Sequence, residues 1–259
     1  MGITKLEIHK LSHDITVFIS PRGGPSSGLI PTPIGFVVVD TKSNPAHIQK
    51  CLDAENVAPS DVCLVFITHS HTDHTGGISF FDCPILAHKL TYQRVIKREK
   101  SKEIPNMPTE YFDNTHNPDF GGVQFEFIHT GGHTPGSSIV WIPEASVLFV
   151  GDLLYGGRYP ILAPANIPNL VEVLRWLPTF GAESIVPGHG PLLGNDELAG
   201  QLEYIETTWK RTEEHITQGD SIEDTLADAD YPHYSDVGTN LHDGNIKAMY
   251  KQLKKGGAI

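Results

Sequence analysis

The residues best suited to chemistry lie in one short run, T-H-S-H-T-D-H-T-G-G, at positions 68–77. It places His69, His71, Asp73 and His74 within six consecutive residues. Imidazole nitrogens and a carboxylate, with no thiolate, suit Zn²⁺ and also accept Fe, Mn or Co. His69 and His71 can be aimed at one ion by a turn, whereas the adjacent Asp73 and His74 must point in different directions. The run therefore indicates a site for two metal ions.

Each ion needs further ligands, and three candidates follow in glycine-bearing turns. His133 ends the sequence G-G-H, His189 lies within P-G-H-G, and Asp152 follows Gly151. The glycines allow close backbone approach or a positive φ. A carboxylate has two oxygens and can ligate two cations at once, so Asp152 is the candidate bridge between the ions.

The elements that must position these residues are short apolar strands alternating with helices. Candidate ligands follow the ends of several predicted strands, where loops on a rigid scaffold usually carry binding groups. The strands are predicted over 15–19, 36–40, 63–67, 124–128, 138–142, 147–150 and 184–186. Helices are predicted over 45–54 and over most of 195–255, and the Gly- and Pro-rich stretch 21–35 is predicted to be a loop.

Composition excludes some classes of function. The chain has 259 residues, 39% of them hydrophobic, and a net charge of −12, so a nucleic-acid partner is not expected. It shows no basic, apolar leader and no apolar stretch long enough to span a membrane. Its three cysteines form no C-x-x-C pair, which favours a reducing compartment. We expect a cytoplasmic protein without a membrane partner; the sequence leaves its oligomeric state open.

Taken together, four pieces of sequence resemble the metallo-β-lactamase-fold hydrolase superfamily over about residues 14–193. They are H-S-H-T-D-H from position 69, G-H-T-P-G-S from 132, G-D from 151 and P-G-H-G from 187, in the family order. The resemblance implies an α/β fold, a four-layer αβ/βα sandwich. It further implies one domain over 1–259, with a mainly helical C-terminal segment from about 195.

The resemblance also implies a ligand set and a reaction of the glyoxalase II-like branch. One ion goes to His69, His71 and His133, the other to Asp73, His74 and His189, and Asp152 bridges them. The expected cofactors are two divalent ions, Zn²⁺ first, with Fe or Mn as alternatives. Metal binding lowers the pKa of water from about 16 toward 7, so a hydroxide oriented by Asp73, the candidate catalytic residue, would cleave a small acyl substrate.

Other functions on this fold remain as alternatives. A mononuclear non-haem iron oxygenase of the persulfide dioxygenase type uses only two of the histidines and the aspartate. A β-lactam hydrolase is less favoured, because true β-lactamases of the superfamily generally carry Cys or Ser in place of the bridging Asp152. A non-catalytic binding protein is disfavoured because all seven ligand positions are filled. We therefore predict hydrolysis of a thioester, lactone or other ester.

Candidate substrate-binding residues follow the bridging aspartate. The stretch L-L-Y-G-G-R-Y-P from position 153 is similar to a subgroup of zinc hydrolases with Gly-Arg-x-Pro at this place. Arg158 is suited to bind a substrate carboxylate, with a structural ion pair as the alternative. Tyr155 and Tyr159 are candidates for the pocket wall, with packing as the alternative. The segment 104–118 is a candidate lid, and His129 either supports the site or simply ends its strand.

Overall fold

A computed structural model describes residues 5–102 and 106–256 of the chain. Within them the chain forms two β-sheets and seven α-helices, joined by short 3₁₀ turns. The strands are β1 (Glu7–Lys10), β2 (Thr16–Ile19), β3 (Ser26–Thr32), β4 (Gly35–Val39), β5 (Val62–Ile67), β6 (Ile85–His88), β7 (Glu110–Phe112), β8 (Thr115–His116), β9 (Glu126–His129), β10 (Ser138–Ile142), β11 (Val147–Tyr155) and β12 (Ser184–His189). The helices are α1 (Pro45–Ala54), α2 (Thr72–Thr75), α3 (Lys89–Glu99), α4 (Ile167–Trp176), α5 (Asn195–Gln218), α6 (Ile222–Ala227) and α7 (His242–Gly256).

The two sheets face each other across an apolar core. The first has seven strands in the order β1 to β7, antiparallel as far as β4 and parallel from there. The second has five strands in the order β12-β11-β10-β9-β8, with only the β11–β12 pair parallel. Between them Phe66 of β5 stacks on Phe127 of β9 with ring centroids 4.4 Å apart. Both inner faces are thus removed from water, as in other sheet sandwiches.

Helices cover the outer faces and complete four layers. Ile48 and Leu52 of α1 pack on the first sheet against Val38 and Val65. On the other side α4, α5 and α7 pack on the second sheet, with Ile205 and other buried apolar side chains in one cluster with its strands. The predicted αβ/βα sandwich is confirmed. Each outer face is buried because a sheet with two apolar faces needs a layer on both sides.

The predicted loop over 21–35 is wrong, because it contains β3, which lies between β2 and β4. Glycine there serves close packing. A Cβ on Gly28 would lie 2.3 Å from the ring of Phe149 on the opposite sheet. The buried Ser27 hydroxyl donates to the carbonyl of Val39 at 3.0 Å. Small residues at a close approach of two sheets resemble loop composition when read in sequence alone.

Strand β11 is longer than the predicted 147–150 and continues to Tyr155, with all nine residues buried. Gly151 has φ +51, and a Cβ there would lie 2.7 Å from Oγ1 of Thr68. Glycine therefore lets the strand pass against the metal-ligand run and continue beyond it. Asp152 consequently lies within the irregular end of a buried strand and not in a surface loop.

The candidate lid over 104–118 is a sheet edge in its described part, since β7 and β8 end the two sheets here. Residues 104 and 105 lie outside the described residues. Phe112 is buried in the inter-sheet core, with its ring 6.0 Å from that of Phe66. The described part is thus joined to both sheets and anchored by one core side chain, although most of its other residues are exposed.

The predicted helical C-terminal segment is present as α5, α6 and α7. Asn245 of α7 accepts from the amide of Leu162 at 3.0 Å and donates to the carbonyl of Pro160 at 2.9 Å. These contacts join α7 to the segment that follows β11; the single domain over 1–259 stays a prediction. Across the described residues, no helix combines the length and the apolarity that a membrane crossing requires.

A charged cluster fastens α5 to the segment that follows it. Nδ1 of His215 lies 2.7 Å from Asp220, and Nε2 lies 2.9 Å from Asp228. The hydrogen bonds to Asp228 and to Asp220 raise the pKa of His215 above its usual 6.5. The hydrogen bond from Arg211 and that from His215 lower the pKa of Asp228.

Candidate metal centre

The H-S-H-T-D-H run leaves the carboxyl end of β5 and turns into the short helix α2. His69 and His71 precede the helix, whereas Asp73 and His74 lie within it. Neighbouring residues on a helix point about 100° apart. The local backbone thus sends the side chains of Asp73 and His74 in different directions, as the sequence predicts.

The first group of ligand atoms belongs to His69, His71, His133 and Asp152, all within 4.8 Å of one another. Nδ1 of His71 lies 3.1 Å from Nε2 of His69 and 3.1 Å from Nε2 of His133. Residues from the segment after β5, from the turn after β9 and from β11 therefore converge on one point. This is the first of the two predicted groups.

The second group belongs to Asp73, His74 and His189. Nε2 of His189 lies 3.4 Å from Nε2 of His74 and 3.4 Å from Oδ2 of Asp73. His189 ends β12, the strand parallel to β11, so both carboxyl ends meet at this edge of the sandwich.

Asp152 connects the two groups. Its Oδ2 lies 3.6 Å from His69 Nε2 and 3.5 Å from His133 Nε2. Its Oδ1 lies 3.1 Å from His74 Nε2 and 3.3 Å from His189 Nε2. One carboxylate oxygen faces each group, which is the placement that a bridging ligand needs.

These residues fit the metal ions that the donor set implies. Two nitrogens on a tetrahedral Zn²⁺ at 2.0–2.1 Å would be about 3.3 Å apart, close to the separations around His71. Asp152 Oδ1 is buried and makes no hydrogen bond within the described residues, although two imidazole nitrogens lie nearby. A buried carboxylate oxygen in that position is costly unless a cation or proton satisfies it. The cluster is therefore one that could hold metal.

The first group is electrostatically prepared for a metal. Burial lowers the pKa of His69 well below 6.5, and the charge of His74 adds to this. Burial also lowers the pKa of His133 to about 4, although Asp152 opposes the shift. Neutral imidazole is the form that ligates metal, so these side chains need not lose a proton first.

The second group is prepared differently, because carboxylates surround it. Burial alone would lower the pKa of His189, but the charge of the nearby Asp152 carboxylate outweighs it and raises the pKa to about 9. Burial would also lower the pKa of His74. The charges of Asp152 and Asp40 outweigh this effect and raise the pKa of His74 well above 6.5. A metal entering this group must displace protons, so its affinity should fall as the pH falls.

Asp40, which the sequence reasoning missed, holds one ligand of each group in place. Its Oδ2 accepts from Nδ1 of His74 at 2.7 Å, and its two oxygens accept from the amide and hydroxyl of Thr68 at 2.8 and 2.7 Å. The Thr68 hydroxyl in turn lies 3.1 Å from Nδ1 of His69. These bonds leave Nε2 of both histidines free to face the metal. A carboxylate directly after the apolar run V-V-V was the available signal.

A second missed residue, Lys42, supports the far side of the site. Its buried ammonium donates to the carbonyls of Phe18 at 2.7 Å and Pro25 at 2.6 Å. Burial lowers the pKa of Lys42 to about 8. Lys42 thereby holds the stretch that contains Gly23, whose carbonyl accepts from Nδ1 of His189 at 2.8 Å.

The three candidate substrate-binding residues have protein partners in the structure. Tyr155 is 1% exposed, and its hydroxyl donates to Oδ2 of Asp152 at 2.7 Å. Its ring stacks on that of His189 at 5.4 Å. Tyr159 is buried, and its hydroxyl accepts from the amide of Tyr234 at 3.0 Å. Tyr155 therefore positions the Asp152 carboxylate, and Tyr159 packs in the core, in line with the packing alternative.

Arg158 donates to the carbonyl of Gly23 at 3.2 Å. Among the described residues, no carboxylate oxygen lies within 4.0 Å of its guanidinium. The alternative of a structural ion pair is therefore not found there. His129, the other undecided residue, donates to the carbonyl of Pro135 at 2.8 Å and stacks on His88 at 3.6 Å. It thus braces the turn that carries His133.

Comparison with known proteins agrees with this fold. The model of the Metallo-beta-lactamase superfamily matches residues 21–189. The Beta-lactamase-like protein 2 homolog of Caenorhabditis elegans is 28% identical over 272 residues, covering 100% of this chain and 90% of that protein. The Hydroxyacylglutathione hydrolase of Bdellovibrio bacteriovorus is 28% identical over 117 residues, covering 44% of this chain and 43% of that protein.

A solved structure, the metallo-beta-lactamase from Pontibacter korlensis, has a TM-score of 0.67 at 23% identity, covering 78% of this chain and 99% of that one. This likeness shows the fold. The family model spans well over half of the sequence, so the chain belongs to the Metallo-beta-lactamase superfamily. It is an enzyme of the metal-dependent hydrolase class, and the predicted family is confirmed.

Proposed function

We propose that the chain is a dinuclear metal-dependent hydrolase, with Zn²⁺ as its metal, that cleaves a small thioester, lactone or other ester. The observation that carries this proposal is the position of Asp152. Its two oxygens face two separate groups of imidazole nitrogens, at 3.1–3.6 Å. A single ion would need only one of the groups.

The second group of ligand atoms favours a dinuclear enzyme over a mononuclear iron oxygenase. Asp73, His74 and His189 place three ligand atoms within 4.8 Å of one another, apart from the four of the first group. Asp40 and Gly23 hold Nδ1 of the two histidines, so their Nε2 atoms point inward. A mononuclear enzyme would leave part of this arrangement unused.

Bound divalent ions at these groups would supply Lewis acidity and activate water near neutral pH. Asp73 is the ligand candidate that can also act on the reacting water, because its side chain is 36% exposed, against 4% for that of Asp152. Burial alone would raise the pKa of Asp73, but the hydrogen bond from His189 and the charge of His74 bring it to about 2. Asp73 is thus ionised near neutral pH and can orient the reacting water by accepting a hydrogen bond from it.

The bridging carboxylate of Asp152 favours a thioester, lactone or other ester over a β-lactam as the substrate, because β-lactamases of the superfamily generally carry Cys or Ser at this position. A relative named Hydroxyacylglutathione hydrolase supports a thioester among the acyl compounds. We propose a small-molecule substrate, with neither nucleic acid nor a membrane as partner. The three cysteines are unpaired, which supports the cytoplasm as the proposed location.

The experiment combines metal analysis with a substrate panel. Elemental analysis should find about two Zn per chain, and the loaded enzyme should cleave thioesters, lactones or simple esters faster than β-lactams and phosphodiesters. One Fe per chain together with oxygen uptake would favour the oxygenase instead. Cleavage of phosphodiesters or β-lactams alone would refute the acyl proposal.

A variant then tests the role of Asp73. Asp73→Asn should lower kcat by about 100-fold or more, because a reacting group that loses its positioning contact typically loses about this much. The same change at the exposed Asp82 is the matched control and should leave kcat unchanged. Full turnover by Asp73→Asn with both metals retained would contradict the role.

A further inference from the structure

A cavity of about 550 Å³ opens directly beside the proposed metal centre. One wall is the ligand run itself, including His71 and the exposed edge of Asp73. The other wall is helix α3, which contributes three basic residues. The lining is Ser70, His71, Thr72, Asp73, Arg94, Lys97 and Arg98.

Helix α3 is fixed to both turns that carry metal-ligand candidates. The guanidinium of Arg98 donates to the carbonyl of Ser70 and, at 2.8 Å, to Oγ1 of Thr75. The buried Thr91 donates to the carbonyl of Gly136 at 2.8 Å, in the turn after His133. The helix is therefore a rigid wall, and side chains on its exposed face have defined positions relative to the site.

Arg98 is occupied by this anchoring, since its Nε also pairs with Glu99 at 2.8 Å. The side chains of Arg94 and Lys97, unlike that of Arg98, anchor no neighbouring segment. Both are exposed, they lie three residues apart on one helix face, and both line the cavity. Within the described residues, no carboxylate forms an ion pair with either. In a chain of net charge −12, two exposed cations with no carboxylate partner among residues 5–102 and 106–256 give the mouth of the site a local positive charge.

A second cavity of about 320 Å³ shares Ser70, Arg94 and Lys97 with the first. It continues along α3 past Leu90, which is 43% exposed, to Pro135. The cleft thus passes from the ligand cluster, across two cations, to an apolar end. This order fits a substrate with its scissile acyl group at the ligand cluster, its negative charge at the two cations and its apolar part at the far end.

We propose that Arg94 and Lys97 bind an oxyanion of the substrate, so that the enzyme is selective for acyl compounds whose acyl group also carries a carboxylate or phosphate. The proposal rests on the acyl-hydrolase function above for the reaction, but the anion site itself is defined by α3. Guanidinium and ammonium groups bind both oxyanions well. The cations also raise the local concentration of anionic substrates, an effect that salt screens.

The test compares two thioesters of N-acetylcysteamine, one S-glutaryl and one S-valeryl, which have acyl chains of equal length and differ in charge. The wild-type enzyme should prefer the glutaryl compound. In R94Q, K97Q and the double variant the ratio of kcat/KM for glutaryl over valeryl should fall, by about tenfold for each cation removed. The control K247Q/K251Q removes two exposed charges from α7, outside both cavities, and should keep the wild-type ratio.

A second readout does not require turnover. Glutarate and inorganic phosphate, titrated separately into metal-free protein by calorimetry, should bind wild type and K247Q/K251Q alike. They should bind R94Q/K97Q at least about tenfold more weakly, and added salt should reduce the difference. The tighter of the two ligands shows whether the site prefers carboxylate or phosphate.

The outcomes separate the two proposals. If no ester or thioester is cleaved but anion binding still depends on Arg94 and Lys97, the acyl-hydrolase proposal fails and the anion site stands. If both thioesters are cleaved with equal kcat/KM, or if R94Q/K97Q keeps the wild-type ratio and anion affinity, the anion site is refuted. Tight binding of a single-stranded oligonucleotide, with no binding of glutarate or phosphate, would also refute it.

Discussion

Replacing Asp40 by Asn should weaken metal binding without unfolding the protein. Three buried donors converge on this carboxylate: the amide and the hydroxyl of Thr68 and Nδ1 of His74, at 2.7–2.8 Å. Asn has the same shape and tolerates the left-handed φ of +59 found here. It offers only one acceptor oxygen, however. The substitution therefore tests the carboxylate and not the backbone.

The magnitude follows from the two orientations of the new amide. If its oxygen faces His74, its NH₂ group faces the amide of Thr68, and the unpaired buried donor costs about 1–3 kcal/mol of stability. If the NH₂ group faces His74, the ring must accept at Nδ1 and carry its proton on Nε2, the atom that faces the metal. Loss of such a supporting bond typically lowers metal affinity by about 10- to 100-fold.

The assay is a competition titration with a chelator that resolves two affinities, with thermal unfolding of the metal-free protein alongside. We expect one of the two affinities, that of the group containing His74, to fall or the metal-free protein to lose stability, and kcat to fall with the affinity. Asp14→Asn is the matched control, because Asp14 has a similar φ of +57 but is exposed. Wild-type metal affinity and unfolding temperature in Asp40→Asn would refute the role of the carboxylate.

Three further predictions concern other parts of the fold. Tyr155→Phe removes the hydroxyl bond to the bridging carboxylate, so kcat and metal affinity should fall while KM stays near wild type; a rise in KM alone would instead indicate substrate contact. Gly28→Ala should lower the free energy of unfolding by about 1–3 kcal/mol, because the added methyl overpacks against Phe149. Gly200→Ala, in α5 with its nearest neighbour 4.0 Å away, should instead raise the free energy of unfolding by about 0.5–1 kcal/mol. Chemical denaturation measures both, and equal effects would contradict the packing argument. The raised pKa of His215 stabilises the fold fully below its unfolded pKa of about 6.5 and less as the pH rises through the folded value, so His215→Gln should lower the melting temperature more at pH 5 than at pH 9; a pH-independent loss would exclude the ionic contribution.

The sequence by itself determined the identity and order of the seven ligand candidates and, through them, the family and the layered fold. These residues could be found because each lies in a short contiguous motif with its own glycine, at or near the end of an apolar strand. Local chemistry and local spacing are written directly in the chain. The division of His69 to His74 into two groups also followed locally, because adjacent side chains diverge.

Only the tertiary structure decided which distant residues complete the site. Asp40 reaches Thr68 across 28 positions because β4 pairs with β5, and no local period announces that contact. The same holds for Arg94 and Lys97, which become a cavity wall only because α3 docks beside the ligand run. Strand β3 was missed because glycine and serine at a close approach of sheets resemble a loop. Pairing and docking between segments far apart in sequence supply the information that local patterns lack.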